Sequence, residues 1–141
     1  MRLRPNPEFV KRHLFVAVLM AAMGGWFGYD GYVNYPSQDD AFFADRHLER
    51  ENAIRRQKEF MLLALAASAI VGGHLWAVTR FRFEFDETTF TWRGERKAIA
   101  DVREIDRSQW AKKGILKVDG IKLDAWHHLG VKEFESKLRE S

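Results

Sequence analysis

The chain has 141 residues, a net charge of +3 and no cysteine. The lack of cysteine excludes a disulfide framework and a thiolate metal site. The charge is small and no run of five or six basic residues occurs, so a nucleic-acid partner is not indicated. A chain of this length accommodates one membrane element and one small domain.

The clearest element is an uninterrupted apolar block. Residues 60–79 contain no Asp, Glu, Lys or Arg. Twenty helical residues extend about 30 Å, which matches the hydrocarbon core of a bilayer. The block therefore predicts a transmembrane helix over 60–79.

A second apolar block lies near the N-terminus. Residues 1–13 are basic, and Pro5 and Pro7 favour an extended cytoplasmic tail over a helix start. The apolar run that begins at Leu14 is long for a signal peptide, lacks an A-x-A site and ends among aromatic residues suited to the headgroup region. We interpret 14–33 as a first transmembrane helix rather than a cleaved signal.

Both apolar blocks carry small residues at helical spacing, which lets helix backbones approach closely in lipid. The residues expected to pack the helices are Ala17, Ala21, Gly24, Gly28, Ala64, Ser68 and Gly72. They favour a hairpin within one chain, although the same faces can join two copies.

Flanking charges indicate the orientation. Nine basic residues precede the first block or closely follow the second, whereas five lie between the blocks. Because cytoplasmic flanks carry the excess of Lys and Arg, we expect both termini in the cytoplasm of a multi-pass protein of the bacterial inner membrane.

The connecting segment 34–59 is then extracytoplasmic and is predicted to be largely helical. Ser37, Asp39 and Asp40 suit a helix start, and neither Gly nor Pro follows until Gly72. Either the first helix also extends past the bilayer, or segment 38–58 lies along the surface and bends near 58–60. The sequence leaves both alternatives open.

After residue 79 the periodicity changes from helical to two, which predicts strands. Residues 80–86 alternate Phe with charge, and Asp119-Gly120 predicts a two-residue hairpin turn with Val118 opposite Ile121. A terminal amphipathic helix is predicted over 130–139. The expected fold class is a membrane helical hairpin plus an α+β domain over 80–141, with an antiparallel meander or partly open barrel.

The region that follows the predicted membrane hairpin resembles bacterial pleckstrin-homology-like (PH-like) domain proteins. The segments that carry the resemblance are FRFEFDETTFTW, IADVREID, GILKVDGIKLD and GVKEFESKL. The resemblance implies a bent, partly open barrel with the helix plugging one end. Asp86-Glu87 lies where lipid-binding relatives carry basic residues, so phosphoinositide binding at that loop is not expected. A domain this small buries little surface, and we expect it to dock on the membrane, a second copy or a larger complex.

No catalytic, phosphate-loop or dinucleotide motif is present, and we predict neither enzyme activity nor a cofactor. Asp124, His127 and His128 lack metal-site spacing and are interpreted as a solvated turn. His74 is expected to hydrogen-bond the first helix near the interface, and Asp30 is expected at the interface.

Basic residues flank several predicted turns and are candidates for contact with lipid headgroups, or else form a solvated face. These residues are Arg93, Arg96, Lys97, Lys112 and Lys113. The sequence thus predicts a non-enzymatic membrane protein that presents a PH-like module for protein or membrane-surface contacts. The alternative is an accessory subunit of a larger membrane complex; a small transporter component is a poorer third hypothesis.

Overall fold

The computed structural model describes residues 1–38 and 47–140, with the side chains of residues 47 and 48 left out of the description. The chain forms two compact units. One unit combines Met1–Lys11 with Trp76–Ser141, and the other consists of Arg12–Leu75. The element order and the antiparallel sheets make this an α+β protein with two long helices and a C-terminal helix.

The first long helix begins at Pro7, so the expectation that the prolines oppose a helix start there is wrong. It is α-helical over Pro7–Tyr29 (α1). Proline is tolerated at the first helical position because the amide it lacks has no partner in that turn. Asn6 caps the helix, since its Oδ1 accepts a hydrogen bond of 3.1 Å from the amide of Glu8.

A π-helical turn over Asp30–Asn34 continues α1 into a last α-helical turn, Tyr35–Ser37 (α2). The amide of Tyr35 donates to the carbonyl of Asp30, five residues back. Pro36 lacks an amide and its ring would crowd the carbonyl four residues earlier, and a widened turn relieves that conflict.

The second long helix is unbroken over His47–Arg80 (α3). Its 34 residues extend about 51 Å, roughly 20 Å more than a hydrocarbon core. Of the two alternatives for the connecting segment, the bend near 58–60 does not occur. The predicted helix start at Asp39 and Asp40 lies outside the described residues.

In the helical unit α1 and α3 run antiparallel and pack along a heptad-like seam. Partly or fully buried positions recur at alternating spacings of three and four, which favours knobs-into-holes packing. On the first helix these are His13, Ala17, Met20, Gly24, Phe27, Gly31 and Asn34. On α3 they are Arg50, Ile54, Gln57, Met61, Ala64, Ser68, Val71 and Leu75.

The other unit contains two three-stranded antiparallel sheets. The first has the order β2–β3–β4 and consists of Phe83–Phe85 (β2), Thr89–Trp92 (β3) and Glu95–Ala98 (β4). The second has the order β5–β6–β7 and consists of Ile105–Asp106 (β5), Ile115–Val118 (β6) and Ile121–Asp124 (β7). A short helix, Trp110–Lys113 (α4), precedes β6.

The β6–β7 hairpin confirms the predicted turn and register. Val118 pairs with Ile121 and Leu116 pairs with Leu123. Asp119 and Gly120 have φ values of 46° and 80°, as a type I′ turn requires. The strand predicted over 80–86 is shorter in the structure, because α3 continues to Arg80 and β2 begins only at Phe83.

The N-terminal residues form a strand that the sequence analysis did not predict. Arg4–Pro5 (β1) pairs antiparallel with His128–Leu129 (β8). On its other side the segment reaches β2: the amide of Leu3 donates to Phe83 O at 2.9 Å, and the amide of Phe85 donates to Met1 O at 2.7 Å. Residues 1–5 therefore lie between β2 and β8.

The tail also contributes to the hydrophobic core of this unit. Leu3 is 1% exposed and belongs to the core cluster. The cluster is formed by apolar side chains of the strands and of the C-terminal helix Val131–Glu140 (α5). Phe134 of α5 lies at the centre, with ring centroids 4.9 Å from Phe83 and 5.1 Å from Phe85. The N-terminal segment thus covers part of the apolar surface of the strands.

Replacing Leu3 with Ala should destabilise the sheet-bearing unit by about 2–4 kcal/mol, because removal of a buried leucine side chain leaves a cavity. Hydrogen exchange at the amides of β2 and β8, in the full chain in detergent, measures the change. Arg4 is exposed and pairs with Leu129 through its backbone. Arg4→Ala is therefore the matched control, and it should lower the free energy of unfolding by less than about 0.5 kcal/mol. Equal effects of the two substitutions would contradict the buried placement of Leu3.

Candidate functional sites

Four of the seven residues predicted to pack the helices make close contacts across the seam. A Cβ added to Gly24 would lie 2.8 Å from Leu65 Cδ2, and one added to Gly28 would lie 3.0 Å from Met61 Sδ. Ser68 Oγ donates a hydrogen bond of 2.8 Å to the carbonyl of Ala17. The helices approach closely where these small residues lie.

The other three predicted packing residues differ among themselves. Ala64 is buried, whereas Ala21 is exposed and points away from the seam. Gly72 is partly buried, yet no atom of the described residues lies within 4 Å of a Cβ placed there. Gly31, which the sequence analysis did not single out, is buried against Gln57 and Lys58.

Gly24→Val should destabilise the helix pair by about 1–3 kcal/mol, since the added atoms overlap Leu65 and force the helices apart. Gly25→Val is the matched control on the same helix, because a Cβ at Gly25 meets nothing within 4 Å. The thermal unfolding midpoint of the full chain in detergent, followed by circular dichroism at 222 nm, should fall clearly for the first variant only. A similar loss in both would show that helix propensity, rather than close approach, explains the effect.

The seam turns polar around the π-helical turn. Asp30 is 7% exposed and its Oδ1 accepts a hydrogen bond of 2.9 Å from Asn34 Nδ2. Gln57 Nε2 lies 3.5 Å from the hydroxyl of Tyr35, and Lys58 Nζ lies 4.3 Å from the ring centroid of Tyr32. Asp30 is thus buried and bonded within its own helix. The contacts of Tyr35 with Gln57 and of Tyr32 with Lys58 join the two helices at this level.

His74 of α3 faces the first helix. Its ring centroid lies 6.2 Å from that of His13, and the two rings are tilted. Among residues 1–38 and 47–140, no group of three or more His, Asp and Glu residues is arranged to hold a metal ion.

The five candidate headgroup residues divide among three settings. Arg96 Nη2 lies 3.1 Å from Asp86 Oδ2, and Lys97 forms an ion pair with Asp119. Arg93 is exposed, with its guanidinium 5.3 Å from the ring centroid of Trp92. Lys112 and Lys113 are exposed in the last turn of α4.

Two carboxylates explain why Arg96 and Lys97 take structural roles. Asp86 accepts hydrogen bonds from the amides of Thr88 and Thr89 at 2.9 and 2.7 Å, which holds the pKa of its carboxyl well below the usual range. Asp119 accepts from Lys97 and from the amides of Arg103 and Glu104, and these bonds lower its pKa. Asp119 therefore joins the β6–β7 turn to β4 and to the segment before β5.

A cleft of about 490 Å³ opens between the β3–β4 turn and the β6–β7 turn. We call it the turn cleft. Its lining residues are Phe81, Phe90, Trp92, Arg93, Glu95, Lys97, Asp119, Gly120, Ile121 and Lys122. Four of its lining residues are aromatic or aliphatic, and we call them the floor; five are charged, and we call them the rim.

His128 is buried, so the interpretation of this histidine as part of a solvated turn is wrong. It is 5% exposed, and its ring packs at a tilt of 37° against that of Phe81, with centroids 4.6 Å apart. Its Nε2 lies 3.1 Å from the carbonyl oxygen of Val78. A carbonyl only accepts, so Nε2 carries the proton, and Nδ1 is buried with no partner among the described residues.

Burial lowers the pKa of His128 because the charged form loses solvation. The folded unit then binds fewer protons at His128 than the unfolded chain does, since the pKa of histidine in an unfolded chain is about 6.5. Stability should be full above that pH and decrease as the pH falls below it, by up to about 1.4 kcal/mol per pH unit.

The thermal midpoint of the full chain in detergent, followed by near-ultraviolet circular dichroism between pH 7.5 and 5.5, tests this expectation. His128→Gln keeps a donor for Val78 and does not titrate, so its midpoint should depend less on pH than that of the natural protein. Asp86 and Asp119 do not change their charge between pH 7.5 and 5.5, because the pKa values of both carboxyl groups are lowered. Parallel pH profiles for both proteins would contradict the assignment.

Comparison of the chain with protein-family models, with curated proteins and with solved structures gives no significant match. The resemblance to PH-like proteins therefore stays a prediction from the sequence.

Proposed function

We propose that the protein is a non-enzymatic integral membrane protein with two transmembrane helices and a PH-like module for contacts with proteins or the membrane surface. In this proposal α1 and α3 cross the bacterial inner membrane, and both termini are cytoplasmic. No cofactor or nucleic-acid partner takes part. The partners are the bilayer and either a second copy or other membrane proteins.

The observation that carries the proposal is that both long helices are apolar and largely unburied. In the most apolar window of each helix, only 17% and 11% of the residues are buried. A core helix of a soluble protein would be mostly buried. The large side chains left exposed on this pair include Leu14, Phe15, Val18, Leu62, Leu63 and Ile70, and a contiguous apolar surface of this extent needs a nonaqueous environment.

The connectivity supports a common side for both termini. Residues 1–11 and 76–140 belong to one folded unit, and β1 is bonded to β2 and β8. If the helices cross a bilayer, a single folded unit cannot lie on both sides of it. The excess of Lys and Arg on these flanks then favours the cytoplasmic side.

The module proposal rests on the composition of that unit. Two three-stranded antiparallel sheets enclose an aromatic core, and α5 covers it through Phe134. This arrangement agrees with the bent sheet and terminal helix that the sequence resemblance implies. Charged turns around an apolar cleft favour the binding of a ligand that carries both charged and apolar groups.

Site-specific labelling tests the topology. The chain has no cysteine, so Arg4→Cys, Glu51→Cys and Ser136→Cys each introduce a single thiol at an exposed position. A membrane-impermeant maleimide should label residues 4 and 136 only in inverted vesicles, and residue 51 only in intact spheroplasts. If all three thiols were labelled from the same side of the membrane, the two crossings would be disproved. If residues 4 and 136 were labelled in spheroplasts and residue 51 in inverted vesicles, only the orientation would be disproved.

An accessory subunit of a larger membrane complex is the second candidate. Gly25, Gly72 and Gly73 lie inside helices, where glycine costs about 1 kcal/mol, and a Cβ at each would meet nothing within 4 Å. The hairpin does not explain these residues, whereas close approach of a further helix would. Gentle extraction followed by size measurement separates the candidates: a monomer or dimer favours the first and a stable complex with other proteins favours the second.

A further inference from the structure

The turn cleft begins where α3 ends. Phe81, which lines the cleft, directly follows Arg80, the last residue of the helix. Its ring centroid lies 4.7 Å from that of Trp92, and the bond between His128 and Val78 fixes the last helical turn to the same unit. With the span at 60–79, the floor of the cleft starts within the headgroup layer, which is about 5–7 Å thick on each side of the bilayer.

The charges at the rim favour an anion. Lys97 and Asp119 neutralise each other in an ion pair. The exposed charges that remain at the rim are the two positive side chains of Arg93 and Lys122 and the negative side chain of Glu95, so the rim carries a net positive charge. Arginine presents a planar fork of donors and lysine presents a compact cation, and both are common ligands of phosphate groups.

Arg93 occupies a backbone position that its side chain does not favour. Its φ is 52°, and Gly94 follows with a φ of 88°, so the β3–β4 turn is a type I′ turn. Such turns prefer Asn, Asp or Gly at both central positions. The turn itself would be more stable with one of these residues, so the arginine needs a reason outside the turn.

We propose that the turn cleft binds the phosphate headgroup of an anionic phospholipid. Arg93 and Lys122 contact the phosphate, and the apolar floor around Trp92 and Ile121 contacts the glycerol and the first methylenes of the acyl chains. The inference rests on the proposed membrane location. It differs from binding at the acidic Asp86–Glu87 loop, since the β3–β4 and β6–β7 turns supply its ligands.

Titration of the delipidated full chain in neutral detergent tests the proposal. The ligands are dioctanoylphosphatidylglycerol, dioctanoylphosphatidylcholine and inorganic phosphate, with binding measured by calorimetry. We expect saturable binding of one phosphatidylglycerol, at least fivefold weaker binding of phosphatidylcholine, and no competition by phosphate at equal concentration. Equal binding of the two lipids would overturn the proposal, and so would phosphate binding as tight as that of the lipid, because the cleft would then accept a free anion.

Variants at the rim should have opposite effects. Lys122→Ala should weaken phosphatidylglycerol binding about fivefold, whereas Glu95→Gln should strengthen it. Arg93→Gly should weaken binding to a similar extent and raise the thermal midpoint, because glycine accepts the positive φ. A purely structural role for Arg93 would not combine lower affinity with higher stability.

Lys132→Ala is the matched control, since it removes the same charge from an exposed position of α5, outside the cleft. An equal loss of affinity in Lys132→Ala and Lys122→Ala would show unspecific attraction and would overturn the proposal. The cysteine labelling described above is run in parallel, on spheroplasts and inverted vesicles from the cells that supply the purified protein. If the topology is as proposed and the lipids are not distinguished, only the cleft assignment fails; if the topology fails, the membrane proposal fails with it.

Discussion

The sheet-bearing unit depends on backbone pairing between the two ends of the chain. Residues 1–5 lie between β2 and β8, and their carbonyl and amide groups satisfy strand edges that would otherwise be open. An open edge exposes unpaired hydrogen-bonding groups and invites pairing with other chains. Leu3 adds a side chain to the core from the same segment. The N-terminal strand therefore supplies both hydrogen bonds and apolar surface that a domain of 80–141 would lack.

Elements with strong local signals were predictable from the sequence. The Asp119-Gly120 turn sets its own register, because two adjacent residues with positive φ leave few alternatives. The apolar spacing of Val131, Phe134 and Leu138 marks one face of α5, and all three are buried. The apolar blocks likewise indicated the two long helices, and the absence of Gly and Pro before Gly72 indicated that the second helix continues back to His47.

Contacts between distant residues were not predictable in the same way. Arg2-Leu3-Arg4 does alternate as a strand does, but three residues are too few to separate a strand from a basic tail. The burial of His128 depends on Phe81 and Val78, which lie about 50 residues away in the sequence. Nothing near Arg96 or Lys97 shows that Asp86 and Asp119 would engage them. Among the basic residues considered, Arg93 is exposed, lines the turn cleft and lies over the ring of Trp92.

The position of β1 has a consequence for biosynthesis. Pro5 pairs with His128, so a ribosome that adds about 5–20 residues per second completes the partner strand roughly 6–25 s after the first strand. During this interval both long helices are made, and the first strand has no complete binding site in its own chain. In the proposed topology, the final pairing can occur only if insertion leaves the beginning and the end of the polypeptide in the same compartment. Assembly of this small sheet would then report on correct insertion, because a wrongly inserted chain would keep an unpaired strand edge.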